Sequence, residues 1–295
     1  MPLATNPRVQ KARERSHVID VLVETFEGWR LHLSARNASL LSFWSFLSIF
    51  PLMIVATTIL GFVLEGNEEL QQEIIDGAFD SIPVLGEQLK NDPTSIEGSW
   101  FLLIVGLLGA LWASTRAFVG LQSALDDTWE VPVDDRAKTP VLRAKALAGI
   151  AVLAITVLAS LGLSTVIQGA DLPGIGRLLI WTMTVVIHTA AAAFFYRFLT
   201  SADMTWRMVV SGSIFAGVLI SVIQHFGTTL VGYVSENSSD TYGTFAIVLG
   251  LIAWLGALSI TTLLGAEMNA ALDRIRRRDQ GDSSVEIEEA ASSVR

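Results

Sequence analysis

The sequence predicts an all-α polytopic membrane protein with six transmembrane helices and both termini in the cytoplasm. Three observations carry that prediction. Six apolar runs are each long enough to cross a hydrocarbon core of about 30 Å, which takes about 20 helical residues. Only 17% of the 295 residues are charged although 51% are hydrophobic, whereas a soluble domain carries about 25% charge. The Lys and Arg residues alternate between successive loops, the pattern that sets membrane orientation. A soluble bundle is excluded because runs of this length leave almost no amphipathic faces for a hydrated shell. A transmembrane β-barrel is excluded because its strands would be alternating segments of about 10 residues.

The elements follow in order. Residues 1–39 form a cytoplasmic segment with Arg8, Lys11, Arg13, Arg15, Arg30 and Arg36. Within it, Val18, Leu22, Phe26, Trp29 and Leu33 recur at helical spacing. This amphipathic helix is expected to lie in the membrane interface or against the bundle. No signal peptide is expected, because the first apolar run starts near Leu40, is too long for an h-region and lacks a small-x-small cleavage site.

The transmembrane domain covers 40–272, with spans at 40–64, 100–120, 146–170, 178–196, 208–234 and 243–266. The loop 65–99 sets nine carboxylates against Lys90 and is predicted to be exterior. Part of it, with Leu70, Ile74, Ile75, Ala78 and Phe79 on one face, reads as a second amphipathic helix. Its acidity suits either cation attraction or simple solubility. Leu172-Pro173-Gly174 marks a turn, so the third and fourth spans are expected to be packed neighbours. Residues 273–295 form a cytoplasmic tail, basic through Arg274–Arg278 and then acidic and disordered. Of the twenty Lys and Arg residues, all but Lys90 and Arg177 fall on the inner side of this topology. A missed or extra span would scramble that alternation.

Helices associate in lipid through small residues that let backbones approach. Candidate faces are Gly106, Ala110 and Ser114 in the second span, and Ser213, Gly217 and Ser221 in the fifth. In the sixth they are Ala253 and Ala257, with Gly250 and Gly256 nearby. These serve helix packing or line a path. Pro51 lies mid-span in the first helix, where it removes a backbone bond and is expected to bend the helix near Leu47. Ser45 or Ser48 could satisfy the freed carbonyl. Pro51 is thus a candidate hinge, or simply a packing feature.

Ionisable groups at membrane depth are costly, roughly 2.5–3.5 kcal/mol for a central Arg, Lys or Asp, and so mark candidate sites. Arg116 and Glu267 lie towards the inner ends of the second and sixth spans, where they could pair as a gate or an interfacial ion pair. Asn269 would complete that end. His188, mid-span, and Gln224 with His225 in the fifth span complete the candidate path. The histidines could relay protons, since imidazole titrates near neutrality, or simply bond a helix carbonyl. Neither histidine has further ligands at helical spacing, so no metal site is expected.

With no cysteine there is no thiolate site or disulfide, and a net charge of −9 makes a poor nucleic-acid binder. Hydrolase, zinc-protease and nucleotide-binding motifs are absent, so no enzyme activity, catalytic residue or cofactor is expected. The pairs Asp126-Asp127 and Asp134-Asp135 read as a Mg²⁺ candidate or as solvated surface.

Several segments form a recognisable set: Ser42-Phe43-Trp44-Ser45-Phe46-Leu47-Ser48-Ile49-Phe50-Pro51-Leu52, Leu111-Trp112-Ala113-Ser114, and Tyr196-Arg197-Phe198-Leu199 with Trp206 and Gly212. Tyr242-Gly243-Thr244, Trp254 and Leu264-Gly265-Ala266-Glu267-Met268-Asn269 complete it, over about residues 30–272. Together they resemble the YihY/BrkB family of bacterial inner-membrane proteins, and within it the YhjD-like branch. Thr200 departs from the pattern, standing where the family often has proline. The resemblance implies a six-helix, multi-pass protein of the bacterial inner membrane. It also brings a ribonuclease BN label and associations with serum resistance and lipid export. The residues argue against the nuclease, which needs positioned acids, a metal or a base in a basic groove. The expectation is a transporter or exporter of lipid or small solute without its own ATPase, or else a non-transporting scaffold. Its partners would be membrane lipids and the substrate, with homo-oligomerisation left open.

Overall fold

A computed structural model describes residues 7–64, 99–169, 174–237 and 243–293. Among these residues eight α-helices follow in order: α1 (Pro7–Arg15), α2 (His17–Leu31), α3 (Ser34–Leu64), α4 (Trp100–Thr128), α5 (Thr139–Gly169), α6 (Gly174–Leu199), α7 (Trp206–Asn237) and α8 (Gly243–Ser293). A single 3-10 turn, Val133–Asp135, lies between α4 and α5, and no strand occurs among the described residues. The six helices α3–α8 are each long and apolar enough to cross a bilayer. Large apolar side chains stand exposed along them, including Phe101, Leu108, Ile155, Leu158, Ile175 and Leu178. Exposed surface of that extent is what lipid covers. The predicted all-α, six-span fold is therefore the fold observed.

Helix ends extend past the apolar runs. α4 continues beyond Gly120 to Thr128, and α8 beyond Ala266 to Ser293. A polar segment extends an existing helix more easily than it nucleates one. Backbone helix thus occupies the tail for which the sequence predicts disorder, in a stretch whose Glu and Ala favour helix. The acidic loop with its second amphipathic stretch, and the turn at Leu172-Pro173, lie outside the described residues.

The chain forms two compact units. The first comprises Met1–Ala38, Gly120–Ser221 and Ile260–Arg295, and the second Ser39–Val119 and Val222–Ser259. In the first unit α5 and α6 pack side by side, as their short connection predicts. The core is built from Leu125 of α4, Tyr196 and Leu199 of α6, Val209 and Ala216 of α7, and Leu263, Ala266, Ala270 and Ala271 of α8. The closest helix approach is between α7 and α8. A methyl group at Gly212 would run into the carbonyl of Gly265, and one at Gly265 would lie 2.6 Å from the carbonyl of Gly212. Asn269 locks this crossing: Gly212 N donates to its Oδ1 at 2.6 Å, and its Nδ2 donates to Val209 O at 3.0 Å.

In the second unit, Gly106 makes room for Ile54 and Val55, and Gly109 for the Pro51 ring. Trp44 and Trp112 meet edge to face, and Ser42 Oγ donates to Ile252 O at 3.0 Å. α3 runs through Pro51 as one helix, and Ser48 Oγ donates to Ser45 O at 2.7 Å. The small-residue faces of the second and fifth spans are buried. The face read in the sixth span is not: Gly250 has open space and Ala253 is exposed. Close approach on α8 falls instead at Trp254, against Gly227, and at Gly265.

Candidate functional site

A cluster of polar side chains in the first unit surrounds Glu267 of α8. Its construction begins with two complementary stripes. On α2, Asp20, Glu24 and Gly28, followed by His32, recur every four residues and so share one helix face. On α8, Glu267, Arg274 and Arg278 fall on one face at spacings of seven and four. The two faces meet. Arg274 Nε donates to Glu24 at 3.0 Å, and Arg278 Nη2 donates to Asp20 at 2.6 Å. Arg13 of α1 closes the set, donating to Asp20 and to Glu24, each at 2.7 Å. Burial alone would push the Asp20 carboxyl up, but hydrogen bonds and charge from Arg278 and Arg13 outweigh it and hold it below its ordinary 3.8.

α2 is thereby seated with its polar face inward. Its apolar stripe points away: Val18 is 67% exposed, Leu22 63%, Phe26 49% and Leu33 50%. The helix thus rests against α8 through this polar face, while Trp29 of the stripe is half-buried.

Glu267 itself is fully buried. His32 Nδ1 lies 3.0 and 3.1 Å from its two carboxylate oxygens. Ser34 Oγ donates to Oε1 at 2.6 Å. Thr128 Oγ1 stands 3.3 Å from Oε1 and 2.9 Å from the carbonyl of Ala124. Gly28 is required by this geometry, because a Cβ there would sit 2.5 Å from Glu267 Oε2 and 2.8 Å from Arg274 Nη2. On the other side of the imidazole, His32 Nε2 lies 3.7 Å from Glu130, which is 61% exposed at its side chain, and has no hydrogen-bond partner. Arg274 Nη1 lies 3.8 Å from the same carboxylate.

Two backbone outliers frame the cluster. Leu33 and Glu130 both adopt φ of 53°, and they are the non-glycine residues with positive φ among those described. At Glu130 the reason is visible. Val131 N donates to Asp126 O and Glu130 N to Asp127 O, the double bond that closes a helix around a left-handed residue. Glycine usually fills that position; here a carboxylate does, facing His32. Such strain gathers at functional sites.

The residues selected from sequence are distributed as follows. Glu267 lies at the centre of the cluster. Arg116 is exposed on α4, its guanidinium 5.9 Å from the Trp112 ring, and the Glu267 carboxylate is engaged by His32, Ser34 and Thr128. Asn269 holds the α7 backbone at the Gly212 crossing. His188 is buried within the first unit, its Nδ1 2.8 Å from Ser221 Oγ and its Nε2 3.4 Å from Ser160 Oγ. Ser221 gives its own hydrogen to Gly217 O at 2.8 Å, so it accepts from His188, which places a hydrogen on Nδ1. Gln224 is half-buried in the second unit, and the side chain of His225 lies outside the described residues. Asp126 accepts from Ser201 N and Oγ, whereas Asp127 pairs with Arg136. Missing from the sequence reading are His32, Ser34, Thr128, Gly28 and Glu130. The signal available for the α2 contribution was the four-residue spacing of its polar face, opposite the apolar stripe.

The arrangement now has a family to stand in. Residues 25–288 match the model of the family described as virulence factor BrkB. The chain belongs to the BrkB family. The inner membrane protein YhjD of Escherichia coli (strain K12) is 26% identical to this BrkB-family chain over 275 residues, 86% of this chain and 81% of its own length. The ribonuclease-like protein YfkH of Bacillus subtilis (strain 168) is 22% identical, covering 87% of this chain and 96% of its own. A UPF0761 membrane protein of Chromohalobacter salexigens is 23% identical, covering 92% and 68%. No solved structure matches the chain. The match of this BrkB protein covers Gly28, His32, Ser34, Thr128, Glu130 and Glu267 and leaves Arg13, Asp20 and Glu24 outside it.

Proposed function

We propose that this chain is a transporter or exporter of lipid or small solute, set in the bacterial inner membrane with both termini cytoplasmic and no ATPase of its own. The observation that carries the reading is Glu267: a carboxylate with no exposure, held by an imidazole and hydroxyls, inside a helix that crosses the membrane. A carboxylate buried so completely, just past the apolar run 243–266, is costly unless paired, and a buried ionisable group of this kind favours a site that handles a substrate or ion. The distribution of Lys and Arg supports the orientation. The relative named as an inner membrane protein supports the location.

The nuclease suggested by the name of YfkH has less support. Of the acids the sequence offered for such chemistry, Asp126 is 1% exposed with both carboxylate oxygens engaging Ser201, and Asp127 pairs with Arg136. The experiment is flux in proteoliposomes, using labelled phospholipid and a panel of ions and small solutes. Wild-type protein is expected to move at least one of them, and Glu267→Gln to lose most of that flux. Wild-type protein that moves none of them, yet co-purifies with envelope proteins, would establish the scaffold instead.

A further inference from the structure

We propose that Glu130, His32 and Glu267 form a proton relay that loads the buried carboxylate from the protein surface, making the proton the coupling ion. The inference rests on the transport reading for its use, but its geometry stands apart. The three groups form a carboxylate–imidazole–carboxylate line, 3.7 Å on the outer side and 3.0 Å on the inner. The outer carboxylate is 61% exposed, the imidazole 7% and the inner carboxylate 0%. The line therefore runs from water to a fully buried end.

Hydrogen positions give it a direction. Ionised Glu267 only accepts, so the imidazole hydrogen sits on Nδ1 and Nε2 presents its lone pair towards Glu130. That nitrogen has no hydrogen-bond partner. A proton reaching Glu130 passes to His32 Nε2 when the exposed Glu130 side chain closes the 3.7 Å gap or a water bridges it, and the imidazolium then gives its Nδ1 proton to Glu267. One proton leaves solvent and one arrives on Glu267. His32 is left neutral with its hydrogen on Nε2, and the site unloads by the reverse path, Glu267 returning its proton to Nδ1 as Nε2 gives its own to Glu130. The inner site accommodates both forms. Ionised, Glu267 accepts from Ser34 and His32. Protonated on Oε1, it donates to Thr128 Oγ1, whose own hydrogen is committed at shorter range to Ala124 O.

The surrounding charges suit passage rather than trapping. Arg274 of α8 stands 3.8 Å from Glu130 and 3.0 Å from Glu24 of α2. Arg13 of α1 faces Asp20, Glu24 and Glu27 of α2, and Arg278 of α8 faces Asp20. Every acid on α2 near the relay is thus matched by an arginine. The left-handed backbone at Glu130 gives the same indication. Glycine would relieve it, yet the position carries a carboxylate 3.7 Å from Nε2.

The test is time-resolved infrared spectroscopy of the carboxylic C=O stretch after a pH jump, on the full chain in lipid nanodiscs. Acidification is expected to raise a protonated-carboxyl band that is absent in Glu267→Gln. Glu130→Gly, which suits the local backbone and so keeps the fold, and His32→Gln are expected to slow that rise by on the order of tenfold or more. A band that never appears on acidification overturns the relay, and so does a wild-type rise in Glu130→Gly. Nitrogen NMR of wild-type His32 gives a second reading: hydrogen on Nδ1 while Glu267 is ionised supports the path, and hydrogen on Nε2 alone overturns it. Absent flux with the expected infrared behaviour removes transport and leaves the relay. Flux with an infrared rise unchanged by Glu130→Gly removes the relay and leaves transport.

Discussion

Glu267 is tolerated inside a membrane helix because each neighbour answers a specific need of a carboxylate. His32 and Ser34 supply hydrogens, Thr128 supplies an oxygen that switches role, and Gly28 supplies the absence of a side chain. Of these, Gly28 is the most directly testable. A methyl group there would lie 2.5 Å from Glu267 Oε2, so the carboxylate or the α2 backbone must shift. Overpacking of this kind costs about 1–3 kcal/mol. Gly28→Ala is therefore expected to lower the thermal midpoint of the detergent-solubilised protein by several degrees. An unchanged midpoint would show that α2 does not press on Glu267. Asn269 illustrates the opposite case. It was selected as a polar group at membrane depth, but its amide is fully used in binding the backbone of α7 at Gly212 and Val209.

At the scale of elements, two junctions hold the first unit together by different means. The crossing of α7 and α8 depends on shape, with Gly212 and Gly265 presenting backbone to backbone. Gly212→Ala drives a methyl into the Gly265 carbonyl and is expected to cost about 3 kcal/mol, because rigid backbone stands where a side chain would yield. Thermal unfolding reads this directly, and a loss below that of Gly28→Ala would count against the crossing. The seating of α2 on α8 depends on charge. The Asp20 carboxyl is held below its ordinary 3.8 by Arg278 and Arg13. A depressed carboxyl stabilises the folded form above its unfolded value, and that contribution is lost as pH falls through the folded value. The junction is thus expected to hold throughout the neutral range and to loosen only below about pH 4. Limited proteolysis of the α1–α2 segment as pH is lowered checks this, and release near pH 6 would contradict it. Arg278, half exposed, is expected to contribute less than about 1 kcal/mol to the same junction.

For the whole molecule, the governing fact is that six helices expose apolar side chains where only lipid can cover them. Topology is then a matter of where the bases sit. Reporter fusions at Glu73 and Glu289 are expected in opposite compartments, with Glu289 cytoplasmic, because the intervening loops alternate in Lys and Arg content. Placement of both in one compartment would undo the orientation and the number of spans together. The apolar stripe of α2 belongs to this scale as well. Only His32 and Leu33 separate α2 from the first spanning helix, so the stripe stands at the end of a membrane crossing, with its polar face already committed to α8.

Number and order of the spanning helices were legible in the chain, because a bilayer demands some 20 apolar residues per crossing and tolerates few charges within them. Glu267 was legible as a candidate, since a lone acid near the end of an apolar run stands out. Its partners were not legible. Arg116, at similar depth, looked the natural counterion, yet it stands exposed over Trp112, while His32 and Ser34 come from 233 to 235 residues away. Hydropathy reports which residues lie in lipid and is silent about which helix faces turn towards each other. That choice rests on glycines that let two backbones touch, on the polar face of α2, and on a left-handed turn at Glu130, all of which take effect only once the helices have packed.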